Sequence, residues 1–392
     1  MGLKNSDIRI FKLNNSEFEI LGVINQFNAL QWSEKYLGFS SFELFAPITE
    51  ENTKLLKKGN ILWCGSKRAG IIEIVKTKMD ESGNLSMDIK GRTLEMLLTT
   101  RIMWNTYTCK TPKKSSTVIY EIVKNNLVEP KNSDSTIDTK RKIPFLELST
   151  DKQIGGDVTI QRTGGDVYTT IYDIASDCNL GFDIEFDPIN KKLVFDVFEG
   201  IDRSLDQKAV DPILFTTDME DILKSLYYMN DTDYKNMALI EGELPEAPEG
   251  QPKPIRKRSI TGDIDSIGFD RRELYVDARD IRMNYRDDTG QEQQVTEEEY
   301  AKMLNQRGDE KLSTYVKAEN FEATIRTIGN VRKEFGKNFN LGDLVTISDK
   351  LLNVTLNARI VEVVESLSDE YTIELVFGYQ YPSIFSKVER ML

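Results

Sequence analysis

The chain has 392 residues, 51 Lys and Arg against 64 Asp and Glu, a formal charge of −13, and no histidine. This length exceeds what one hydrophobic core ordinarily holds, so about two to four domains are expected. The acidic balance argues against nonspecific binding to phosphate backbones, which draws on Lys and Arg displacing counterions, and no sequence-specific nucleic-acid binding is expected. Without imidazole there is no Ser-His-Asp or Cys-His hydrolase, no His-dependent zinc peptidase and no histidine proton relay.

No apolar run reaches the roughly 18 residues that span a bilayer, and the start Met1-Gly2-Leu3-Lys4 lacks a signal-peptide core, so a cytoplasmic origin without a membrane anchor is expected. Cys64, Cys109 and Cys178 are odd in number and far apart, which suits reduced thiols better than a disulfide framework or a zinc site.

In chain order, residues 8–46 read as strands: Ile8, Ile10 and Leu13, then Phe18 to Ile24, then Ala29-Leu30-Gln31-Trp32, then Phe42-Glu43-Leu44-Phe45 before Pro47. Thr49 caps a short helix over 50–57, with Glu50 and Glu51 where the helix dipole favours negative charge. Gly59 to Gly91 holds three more strands. Residues 92–98 form a helical turn, and a helix over 115–127 carries Val118, Ile119, Ile122, Val123 and Leu127 on one stripe, with Ser116 as its cap. A third helix, 167–178, feeds the hairpin of 182–186 and 193–198. Strands at 223–229 and 237–241 follow, then the Pro and Glu rich stretch 242–253, the basic Arg256-Lys257-Arg258, a helix over 296–306, and renewed strands from Phe321.

The last sixty residues repeat the pattern of Gly59 to Gly91. The early copy runs Ile61-Leu62-Trp63, Ile71-Ile72-Glu73-Ile74-Val75 and Leu85 to Lys90; the late copy runs Leu344 to Ile347, Ile360-Val361-Glu362-Val363-Val364 and Tyr371 to Phe377. Each has a glutamate inside an aliphatic run, a glycine before its first strand and one after its third. The expected fold class is therefore β-rich α+β: two related small β-barrel domains, an α+β domain and a charged insertion. The expected bounds are 1–98 for the first barrel, 99–210 for the α+β domain, 211–242 with 320–392 for the second barrel, and 243–319 for the insertion with one helix.

Several constellations have chemical readings, each weaker than a structural one. Glu73 and Glu362 as a glycosidase pair compete with matching places in a duplicated fold. Asp183, Glu185, Asp187 and Asp196 as calcium ligands compete with the solvated face of a hairpin, and no twelve-residue calcium loop is present. Gly164-Gly165-Asp166 before a helix lacks the Lys-Ser/Thr of a P-loop, so Asp166 is read as an N-cap. Arg256-Lys257-Arg258 is read as pairing with acidic neighbours. No catalytic, cofactor-binding or metal residue is assigned, and no cofactor is expected.

Taken together, several segments resemble the siphophage tail-tip and baseplate-hub family. They are Gly70-Ile71-Ile72-Glu73; Lys90-Gly91-Arg92-Thr93-Leu94 with Leu97-Leu98 and Arg101-Ile102; Val197 to Ser204; Asp233-Tyr234-Lys235-Asn236; and Phe269 to Arg279, in the family's order. The resemblance implies a non-enzymatic homotrimeric hub at the distal end of a phage tail or phage-tail-like particle, in the virion after assembly in the host cytoplasm. Its implied partners are the tail tube or distal tail protein, a central spike or fibre protein and the tape-measure protein. Two related barrels per subunit would give three subunits six similar units around the DNA or effector conduit. The C-terminal peptidoglycan-cutting or receptor-binding domain of some relatives is expected to be missing, since the sequence stops soon after Gly378. The alternative is a carbohydrate-active or receptor-binding tail protein using carboxylates and exposed aromatics such as Trp104, Tyr227 and Tyr228.

Overall fold

The computed structural model describes residues 7–378 except 66–67, 80, 82, 84, 133–135, 220–221, 246–254, 287–290 and 326–332. Strands hold 46% and helices 18%, which places the chain in the expected β-rich α+β class. A single 14-stranded sheet dominates; its main path of eleven strands runs open from Ile222–Asn230 at one end to Phe18–Ile24 at the other.

That sheet contains the repeat. In the first unit the strands Ala29–Lys35, Ser41–Pro47, Leu85–Thr93, Ala69–Met79 and Ile61–Trp63 lie side by side in that order; in the second the order is Ile222–Asn230, Ala318–Ile325, Tyr371–Gly378, Val354–Leu367 and Leu344–Asp349. The correspondence extends to single hydrogen bonds. Gly59 N donates to Ile72 O and Ile72 N to Asn60 O, while Gly342 N donates to Ile360 O and Ile360 N to Asp343 O. Gly59 and Gly342 both turn with φ near +90°, a conformation that favours glycine. Phe42 and Phe321 occupy matching buried places, as do Ile89 and Leu375.

One expectation is corrected. Glu73 and Glu362 are not equivalent, because each long strand carries a β-bulge and the extra residue is Glu73 in one and Val361 in the other. Ile74 is therefore the counterpart of Glu362, and Gly91 that of Phe377 rather than of Gly378. Outside the five strands the copies diverge: Ile8–Leu13 pairs antiparallel with Ile61–Trp63, whereas Asp202–Arg203 and Leu214–Thr216 pair parallel with Leu344–Asp349.

The helix α1 (Glu50–Leu55) starts at Thr49, whose hydroxyl accepts from Asn52 N at 3.1 Å, as expected. The helix α2 (Ser115–Val123) buries Val118, Ile119, Ile122 and Val123 completely, and a π turn, Lys124–Val128, continues it. Ser116 is not its cap. Lys114 holds that place without a side-chain bond, while Ser116 Oγ donates to Asp151 and accepts from Ile154 N. The helix α3 (Val167–Asp177) is capped by Asp166, which accepts from Thr169 N at 2.7 Å. With the antiparallel hairpin Gly181–Asp187 and Lys192–Phe198, α2 and α3 share one apolar core, into which Phe11 and Phe18 of the large sheet also reach.

Two expectations change beyond residue 222. The sequence puts the strand Met237–Glu241 with the second barrel, but it pairs antiparallel with Arg258–Gly262 and parallel with Glu273–Asp277. Ala238 and Ile240 are thereby buried against Met303 and Leu304 of α4 (Glu297–Leu312), so this stretch has its own core. Helix α4 begins with a Thr296–Glu299 capping box and runs past the expected end at 306. Gly308 lets the helix lie close against its sheet, since a Cβ there would stand 2.5 Å from Thr261 and 2.7 Å from Ile240. The Pro and Glu rich stretch lies mostly outside the described residues.

Candidate assembly surface

The two units meet edge to edge. The distal half of Val354–Leu367 pairs antiparallel with Ala29–Lys35, Glu362 opposite Lys35 and Leu367 opposite Leu30. Tyr36 N donates to the carbonyl of the bulged Val361 at 2.9 Å, so the bulge in one unit anchors the end of a strand in the other. Ser33 Oγ donates to Glu362 at 2.5 Å, and Gln31 Nε2 to Ser366 at 3.5 Å. Backbone pairing thus makes one surface of two copies.

A buried charge cluster closes the seam. Arg68, 6% exposed, reaches from the first unit to Glu34 at 2.5 Å and to Glu365 of the second unit, which also accepts from the Tyr371 hydroxyl. Burial pushes the Glu34 carboxyl up against the pull of Arg68. Burial would lower Arg68, but Glu34 and Glu365 outweigh it and hold the guanidinium charged. Burial, with Glu365 beside it, raises the Tyr371 phenol. The neighbouring Cys64 thiol is likewise pushed up by burial, away from the reactive thiolate. Such a cluster fixes which edges meet, because any partner that failed to supply the carboxylates would strand a buried guanidinium.

Most residues singled out for chemistry have structural partners; Asp183 and Glu185 stand on the hairpin strand Gly181–Asp187, opposite Asp196 and Val194. Glu73 accepts from Arg92 Nε at 2.8 Å and Nη2 at 2.6 Å, Glu362 from Ser33, and three strands separate the two glutamates in the sheet. Asp187 receives Ile189 N and Asn190 N in its turn, while Asp196 receives Tyr120, Ser149 and Lys152. Among the described residues no three His, Cys, Asp or Glu side chains gather as a metal-ligand set. Asp166 caps α3, and Arg256, Lys257 and Arg258 pair with Glu241, Glu297 and Glu241. Trp104 lies exposed under the Arg141 guanidinium, 4.9 Å from its ring centre. It stands in the α+β region, whereas Tyr227 and Tyr228 belong to the large sheet, so the aromatics form no shared platform. The hollow beside it, lined by Asn105, Tyr107, Asn126 and Lys131 among others, measures about 20 Å³, space for water rather than for a sugar.

What sequence reasoning missed was the seam itself. Arg68 follows Lys67 in what reads as an ordinary basic turn, and its two carboxylate partners lie 34 residues before it and 297 after it. Glu34 and Glu365 are charges among several polar residues of their strands, so nothing in the sequence marks them as buried.

The fold is that of phage tail proteins. Solved structures similar over nearly their whole length include the prophage tail protein gp18 from Listeria monocytogenes EGD-e, at 12% identity, TM-score 0.52, covering 98% of each chain. They also include the prophage MuSo2 43 kDa tail protein from Shewanella oneidensis, at 13% identity, TM-score 0.53, covering 96% of this chain and 98% of that one. The tail protein from Neisseria meningitidis MC58 is alike at 13% identity, TM-score 0.51 and 95% coverage of both. The chain belongs to the siphovirus ReqiPepy6 Gp37-like protein family, a siphophage tail protein family that matches residues 7–379. No curated protein sequence matches it.

Proposed function

We propose that this tail protein is a baseplate or tail-tip hub, a homotrimer that adapts a hexameric tail tube to a three-fold spike or fibre around the DNA or effector conduit. The observation that carries the reading is the five-strand unit present twice in one chain, with the same turn, the same paired hydrogen bonds and a bulge at the same place. Three such chains present six similar units, which is what a six-fold tube above a three-fold tip requires. In this reading residues 1–98, and 320–392 with the strand at 222–230, are the hub units; 99–210 and the stretch around 243–319 decorate them.

The proposed partners are the tube or distal tail protein, the central spike or fibre protein and the tape-measure protein, met after synthesis in the bacterial cytoplasm. The role is structural rather than enzymatic: Glu73, Glu362, Asp166, Asp187 and Asp196 are engaged in strand pairs, a cap and a turn. The net charge of −13 suits a conduit that nucleic acid passes without adhering. The test is co-expression with the tube protein from the same virus, followed by mass determination of the purified complex. Three copies of this chain bound to six of the tube protein is the expected stoichiometry; a chain that never joins the tube protein would contradict it.

A further inference from the structure

The two units of the repeat are matched in structure but not in surroundings. The second unit's bulged strand has its distal half, Glu362 to Leu367, covered by the first unit's Ala29–Lys35. The equivalent half of the first unit's bulged strand, Ile74 to Met79, has no strand beside its outer edge among the described residues. Conversely, the second unit's counterpart of Ala29–Lys35 is Ile222–Asn230, whose outer edge is also uncovered among the described residues. One chain therefore contains one completed junction and the two halves of a second.

Exposure follows this division. Val363 at the completed junction is 1% exposed, whereas its counterpart Val75 is 37% exposed, and all six residues from Ile74 to Met79 are open to solvent. On the other half, Leu226 is 56% and Met229 67% exposed. Lys76, Lys78 and Lys224 place charge on these edges, the device that ordinarily blunts an unpaired strand, yet Ile74, Val75, Met79, Leu226 and Met229 stand exposed between them as apolar groups of the kind that template pairing with another chain. The charge cluster makes the same point. The counterparts of Glu34, Arg68, Glu365 and Tyr371 are Met229, Leu356, Thr77 and Leu85, so the open halves carry mainly apolar groups where the closed seam carries buried ions.

We infer that Ile74 to Met79 of one chain pairs antiparallel with Ile222–Asn230 of a second copy, reproducing the junction already present within the chain. The occupant is a second copy because the template already exists: the same two strand types pair inside one molecule, and among the described residues each chain offers one uncovered edge of each kind. Transferring the internal register sets Ile74 opposite Asn230, Val75 opposite Met229, Thr77 opposite Tyr227 and Met79 opposite Ser225. Head-to-tail pairing of this kind either closes a ring or grows an open filament. The inference rests on the hub reading for its closure at three chains, but the register belongs to the strand edges alone.

The experiment uses the full chain carrying Val75→Cys together with Met229→Cys, both at exposed positions that leave the fold intact. Directly opposed strand residues lie about 4.5–5.5 Å apart at Cα, within disulfide reach. Mild oxidation is expected to give covalent multimers ending at three chains, reversed by reductant. Each single variant, and Val75→Cys with Lys224→Cys, should give at least tenfold less. A protein that is trimeric by mass yet forms no disulfide between the two introduced thiols would overturn the pairing and leave the hub reading intact. Linked multimers growing well beyond three chains would support the pairing and overturn the trimeric hub. A chain that stays monomeric at about 100 μM, with no link formed, would overturn both.

Discussion

At the scale of single residues, the buried ionisable groups carry the clearest consequences. Glu95 follows the strand Leu85–Thr93, accepts from the Thr93 hydroxyl and from Ile184 N, and is 6% exposed. Burial lifts its carboxyl from 4.5 to about 7 despite those bonds, with Asp183 adding to the rise. A folded-state value above the unfolded one means that Glu95 contributes stability in acid and that the contribution is lost as pH rises from 4.5 through 7. We predict that the Glu95→Gln variant gains stability over the parent by roughly 2 kcal/mol between about pH 5 and pH 8. Urea denaturation at the two pH values measures this, and an unchanged difference would contradict it. The repeat's two glycine turns differ at this scale too: a Cβ at Gly59 meets nothing within 4 Å, whereas one at Gly342 would stand 2.4 Å from the Tyr36 ring, because the second copy's turn packs on the first copy.

At the scale of elements, α4 is held to the α+β region by charged side chains. Arg162 donates to the fully buried Glu310, Arg307 donates to the Gln161 carbonyl at 3.2 Å, and Lys311 donates to Asp173 at 2.5 Å. Burial, and Arg307 nearby, bring Arg162 down to about 9. Removing Glu310 alone leaves Arg162 buried beside a second guanidinium, so Glu310→Ala is expected to cost about 3–5 kcal/mol, while Arg162→Met with Glu310→Leu costs far less. A double-mutant cycle by urea denaturation measures the coupling; additive losses would contradict it. Little of this docking was legible beforehand. Helix α4 itself was, from Thr296, Glu299 and the acidic first turn, but its partners Asp173 and Arg162 lie more than 130 residues away. The repeat was legible because period-two burial leaves a period-two sequence. Its register was not, because alternation does not reveal which residue of Ile71 to Val75 or Ile360 to Val364 is the bulged one. Met237–Glu241 read correctly as a strand but was given to the wrong sheet, since strand signals do not name partners.

At the scale of the whole molecule, the chain is two copies of one sheet unit fused at their edges, with an α+β region and a helix-bearing stretch attached to them. The fusion sets a direction: among the described residues one edge of each kind is left uncovered, and under the inferred pairing, chains that join by the internal rule keep adding similar units around an axis. Buried charge sets the internal seam, whereas the open edges mix exposed apolar residues with Lys76, Lys78 and Lys224. The measurement that tests this most directly is electron microscopy of the purified, concentrated protein, averaged in projection down the particle axis. The account predicts a closed ring of three chains showing six similar lobes around an open centre. Single chains, or a ring in which the two sheet units of each chain lie at different distances from the axis, would contradict it.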